Sequence, residues 1–203
     1  MLAITYSTAF GNSWEIVTVE DEKKLLINKP GVDTVGSNSG MSLKLNVTER
    51  EANAQIMVME FDLLLEDVTA TANQFTMGHQ GVLGKKNSPF VAVIAGLESG
   101  NSYHIVLTYR VTAVDGSGAP TDIEYAAYVN GEVSVLKTKV STSATNLKVN
   151  GGKLDLPRVD QVESVTFSLN NAFCGKAYID NMRLALLASY ELPREPAYVK
   201  QTK

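Results

Sequence analysis

The stretch Glu60-Phe61-Asp62-Leu63-Leu64-Leu65-Glu66 puts three carboxylates into seven residues. In an extended chain, residues two and six apart share a face, so all three point the same way. Paired carboxylates can serve acid–base and nucleophilic chemistry on glycosidic bonds, and retaining hydrolysis needs them about 5–5.5 Å apart. Alternate strand residues stand about 6.6 Å apart along the backbone, so Glu60 and Asp62 could approach that spacing. Glu66 lies about 20 Å from Glu60, too far for either hydrolytic geometry. The bland reading of the same residues is a solvent-facing strand face.

A second set could supply the base, acid and charge neutraliser of a polysaccharide lyase: His104, Tyr109, Arg110 and Tyr125. Strand alternation puts His104 and Arg110 on the face opposite Tyr103 and Tyr109. His79 and Gln80 sit in the Gly-rich loop Thr76-Met77-Gly78-His79-Gln80-Gly81 and are candidate ligand contacts. Gly78, Gly81 and Gly84 precede no helical pattern, so a phosphate loop is excluded. Cys174 has no partner for nucleophilic chemistry and reads as a buried thiol. Sugar recognition calls for exposed aromatic rings beside hydrogen-bonding groups. Tyr128 alternates away from Tyr125, so one of the two must leave the core. Tyr128 and Tyr103 are the stacking candidates, with Tyr6 and Tyr178 behind them, and Trp14 reads as core. An aromatic content of 7% argues against a crystalline-polysaccharide binder.

The elements that must position these groups are strands. Period-2 patterns run through 14–19, 24–27, 41–47, 55–65, 90–94, 103–111, 123–129, 132–140, 162–169 and 177–187. Gly31 to Gly40 and Asp115 to Pro120 are turn or loop clusters. Asn130-Gly131 is a strong type I′ hairpin signal, because both central positions need positive φ. No segment sustains a helical period; the best short candidates are 48–54 and 146–148. About twelve strands with regular turns predict an all-β sandwich.

Two stretches go further: Tyr103-His104-Ile105-Val106-Leu107-Thr108-Tyr109 followed by Tyr125-Ala126-Ala127-Tyr128-Val129-Asn130-Gly131, and Phe173-Cys174-Gly175-Lys176-Ala177-Tyr178-Ile179-Asp180-Asn181-Met182-Arg183-Leu184. In this order they resemble the laminin-G-like, concanavalin A-like jelly-roll superfamily. The resemblance covers roughly Ile56 to Leu187, with N-terminal strands from Trp14 to Val47, and implies an antiparallel jelly-roll β-sandwich. The domain is expected over residues 1–188, and prolines and mixed charge make 189–203 read as an extended tail or linker. Some glucanases of that fold carry E-x-D-x-E or E-x-D-x-x-E. Here Leu64 and Leu65 stand where the second catalytic Glu would be. Asp180 or Asn181 would satisfy neighbouring backbone or hold a structural calcium, with Asp180 the candidate ligand. Calcium takes six to eight oxygen ligands, and no local Asp cluster supplies them.

Composition narrows the function classes. The chain has 203 residues, a formal charge of −4, one Cys and two His. That excludes an intramolecular disulfide and the usual Cys/His zinc sites, and disfavours nucleic acid as a partner. No apolar run approaches a membrane span, and no signal peptide opens the sequence. The leading expectation is a non-catalytic, glycan-recognising module of a larger or exported surface or virion protein, with glycan or assembly proteins as partners and no cofactor. The rival readings are a structural spacer or decoration domain of a phage or bacterial surface assembly, and a glycan-cleaving enzyme using Glu60 and Asp62.

Overall fold

The computed structural model describes residues 2–5, 13–30, 41–68, 75–78, 91–94, 97–141, 158–169 and 175–191. They form two sheets. The smaller contains β1 (Leu2–Thr5), β4 (Met41–Asn46), β12 (Ser164–Leu169), β7 (Phe75–Gly78) and β8 (Val91–Ile94), in that order. The larger runs β11 (Glu132–Ser141), β10 (Pro120–Val129), β9 (Ser102–Val114), β6 (Ile56–Glu66), β13 (Gly175–Leu187), β3 (Glu22–Lys29) and β2 (Ser13–Val19). The two-residue β5 (Glu49–Arg50) adds a parallel pair to β13; the other pairings are antiparallel. Apart from a single 3-10 turn at Val159–Gln161, the described residues hold no helix. None is therefore long and apolar enough to cross a membrane. Within the first short helical candidate the chain instead makes β5, and 146–148 lie outside the described residues.

Alternation decides which side chains go inward. Along β6, Met57, Met59, Phe61, Leu63 and Leu65 join one core with Ile105, Leu107 and Tyr109 of β9 and Ala177, Ile179 and Leu184 of β13. Leu45 of the smaller sheet belongs to the same cluster, so the core lies between the sheets. Asn130 and Gly131 take φ of 52° and 81°, as the hairpin signal requires. Glu20 and Asp21 adopt the same left-handed pair without a glycine and join β2 to β3. Trp14 departs from expectation. It pairs with Ile27 on the core side, but β2 is the margin of the sheet and its ring stays 38% exposed.

The last strand carries one irregularity. Asp180 pairs with Asp62, yet Arg183 pairs with Glu60, so β13 spends three steps where β6 spends two. The extra residue is a β-bulge, with Asn181 left-handed at φ 51°. The bulge is needed because Ile179 and Leu184 both face inward although they stand five positions apart, an odd offset. Without it, one half of the strand would turn its apolar set to solvent.

Candidate functional site

The opposite face of the large sheet gathers the polar side chains. Register puts Asp62 beside His104 on one side and Asp180 on the other. One row along, Arg183, Glu60, Val106, Tyr128 and Val133 form a line across five strands. One row the other way lie Leu26, Tyr178, Leu64 and Ser102. Glu66 and Lys176 follow at the end of β6. Glu60, Asp62 and Glu66 thus share a face, as alternation predicts, and His104 and Arg110 join them there.

At the centre, Asp62 is held at both oxygens. His104 Nδ1 lies 2.7 Å from Oδ1 and the Asn181 amide nitrogen donates to Oδ2 at 2.7 Å. The ionised carboxylate only accepts, so the ring proton sits on Nδ1 and leaves Nε2 as the ring's other polar atom. The backbone N–H of His104 donates to Asn130 Oδ1, and that of Asn130 to the His104 carbonyl, both at 2.8 Å. The hairpin turn is therefore fastened to the histidine strand. Beside this hub, Arg183 donates to Glu60 at 3.2 Å and, through Nε and Nη2, to Glu49.

Burial works to raise the Asp62 pKa, but hydrogen bonds from His104 and Asn181 outweigh it and hold the group below 3.8. The same hydrogen bond raises His104 above 6.5, against its own burial. With the carboxylate pKa lowered and the imidazole pKa raised, both groups are charged between these reference values. The pair's stabilisation is complete there, fades as pH rises through the folded His104 value, and fades as pH falls through the folded Asp62 value. His104→Gln should therefore lower the melting temperature most near pH 5, with a smaller deficit at pH 9. A deficit that stays flat across a series of melts at different pH would show that the pair carries no charge.

Of the sequence candidates, Tyr128 lies on this face. Its ring packs against the apolar residues of that face, Ile56, Val58, Val106, Ala185 and Leu187. Tyr178 is held by its hydroxyl, which donates to Glu66 at 2.9 Å. Tyr103 lies on the inner side, packed against the core, where its hydroxyl accepts from the Glu98 backbone N–H at 2.8 Å. His79 and Gln80 fall outside the described residues. Asp180 uses Oδ1 to accept the Asn181 backbone N–H at 2.8 Å, which caps its own bulge. Among the described residues, no group of three or more His, Cys, Asp or Glu could hold a metal ion. The sequence reading names Asn181 only as a partner of neighbouring backbone or a cation, and misses its bond to Asp62 and the role of Arg183. The signal was there: inward apolar positions change phase between Ile179 and Leu184.

No protein-family model and no curated protein sequence matches the chain. Among solved structures, the chain is similar to alginate lyase vAL-1 from Chlorella virus, with a TM-score of 0.52 at 11% identity, over 87% of this chain and 90% of that one. A weaker likeness, TM-score 0.44 at 9% identity, covers 91% of this chain and 90% of alginate lyase Aly36B. Another, TM-score 0.39 at 12% identity, covers 93% of this chain and 91% of a family 11 carbohydrate-binding module from Clostridium thermocellum, in complex with a β-1,3-1,4-mixed-linked tetrasaccharide. At such identities the likeness is one of fold, and with the two sheets it makes this chain an all-β antiparallel jelly-roll β-sandwich.

Proposed function

We propose that the outer face of the large sheet binds a neutral glycan, and that the chain is a non-catalytic recognition module of a larger surface or virion protein. The observation that carries this reading is the pair of tyrosines, Tyr128 packed on the outer apolar cluster and Tyr178 tied by its hydroxyl to Glu66, on either side of the Asp62–His104–Asn181 hub. Rings held this way offer a face to the C–H side of a sugar ring at little cost in conformational freedom. Fixed carboxylate, amide and imidazole groups beside them supply the hydrogen bonds that orient a ligand.

Charge supports the neutral ligand. Lys24 pairs with Glu22, Lys176 with Asp67, and Arg183 with Glu49 and Glu60. Arg110 stands at the far end opposite Glu124. The centre of the face is acidic, so a uronate polymer would meet carboxylates and already paired cations. The same pairing speaks against hydrolysis by Glu60 and Asp62. A general acid needs a raised pKa, whereas Asp62 is held low.

Calorimetric titration with tetrasaccharides of β-glucan, xylan and arabinan, against alginate, tests this. A neutral oligosaccharide should bind while alginate does not, with no bond cleavage detected by product chromatography. Tyr128→Ala should weaken binding at least about tenfold, equivalent to about 1.4 kcal/mol. Binding of alginate alone, or release of shorter products, would sink the reading.

A further inference from the structure

On the outer face, five apolar residues are nearly inaccessible: Ile56, Val58, Val106, Ala185 and Leu187, none more than 5% exposed. Packed against them are Tyr128 from β10 and Tyr190, which lies three residues beyond the end of β13. The chain turns there on fixed points. The Leu187 carbonyl accepts from the Gln55 backbone N–H at 2.8 Å, and the Ala188 N–H donates to Glu51 Oε2 at 2.7 Å. Tyr190 then comes back over the sheet, and its hydroxyl donates to Glu60 Oε2 at 3.3 Å. Burial, then the Glu60 charge, pushes this phenol up to about 12, so it stays a donor at neutral pH. Glu49, Arg183, Glu60 and Tyr190 thus form one hydrogen-bonded line ending in an aromatic ring.

We infer that Tyr190 is a wall of the glycan site, so that a residue outside the sandwich strands completes the surface that binds the ligand. This rests on the glycan-binding reading above. Tyr190 remains partly exposed while its neighbours on the floor are covered. It packs against the same apolar floor as Tyr128. Two rings over an apolar floor, with the Glu60 carboxylate among them, match a sugar ring that has apolar C–H faces and hydroxyls at its rim. A ring that served only to cover the floor would make the Glu60 hydrogen bond without affecting a ligand.

The test titrates wild type, Tyr190→Ala, Tyr190→Phe and Tyr128→Ala with the same tetrasaccharides of β-glucan, xylan and arabinan, after thermal melting confirms that each variant folds. Tyr190→Ala should raise Kd about tenfold, and Tyr190→Phe, which keeps the ring, should stay within about threefold of wild type. An unchanged Kd for Tyr190→Ala, with Tyr128→Ala impaired, would overturn the wall and leave the binding face standing. Tighter binding by Tyr190→Ala would also overturn it, because the ring would then be an obstruction. Failure of the wild type to bind any of the three would remove the glycan reading itself, and the wall with it.

Discussion

Phe61→Ala should lower the melting temperature by roughly 10 °C. Phe61 sits in the middle of β6, which lies between β9 and β13 in the large sheet, and its side chain is 0% exposed. Removing a buried phenyl group forfeits its transfer free energy and leaves a cavity, at a cost of about 3–5 kcal/mol. In a chain of this size each kcal/mol is worth about 2–4 °C. The cavity has little room to collapse, because Met59, Leu63 and Ile105 belong to the same cluster and ride on rigid ladders. Calorimetry on Phe61→Ala beside Val133→Thr, a position 56% exposed, gives the contrast. The surface variant should stay within about 0.5 kcal/mol of wild type. Equal melting of the two variants would mean that the core does not run through β6.

The second large effect is expected at Gly175, the first residue of β13. Its φ is +141°, a region open to glycine and costly to other residues. A Cβ built there would stand 2.9 Å from the Glu66 carbonyl oxygen and 2.9 Å from Val68 Cα. Both obstacles are backbone, so neither can swing away. Backbone strain of this kind costs roughly 1–3 kcal/mol, and the clash adds to it. Gly175→Ala should therefore shift the denaturant midpoint clearly downward. It should also disturb the end of β6, where Lys176 reaches Asp67 at 2.8 Å. An unaltered midpoint would show that this strand entry relaxes freely.

The contrast between these positions also shows what a single sequence can disclose. Period-2 alternation puts Glu60, Asp62 and Glu66 on one face of β6 and His104 on the face of β9 opposite Tyr103 and Tyr109, and the register then brings the two outward sets together. Alternation reports a face and is silent about neighbours. The Asp62–Asn181 bond joins positions 119 residues apart, and Asp62 meets His104 across 42. Such pairings depend on strand order, which local pattern does not encode. Tyr190 was hidden for another reason. Prolines and mixed charge make its segment read as a tail, and only the turn anchored at Glu51 brings it back. Tyr103 was a stacking candidate by residue type, while its own strand phase, shared with Ile105 and Leu107, already aimed it inward.

The bulge at Asn181 divides β13 into two reading frames. Before it, even-numbered residues look outward: Lys176, Tyr178 and Asp180. After it, odd-numbered ones do: Arg183, Ala185 and Leu187. The aromatic and acidic contributions of this strand are thus spelled in one parity, and the guanidinium that neutralises Glu60 in the other. A single left-handed residue joins the two frames, and it spends its side chain on Asp62. The residue that corrects the phase of the core is therefore also the one that closes the polar hub. Shape and chemistry on this strand cannot be altered independently at that position.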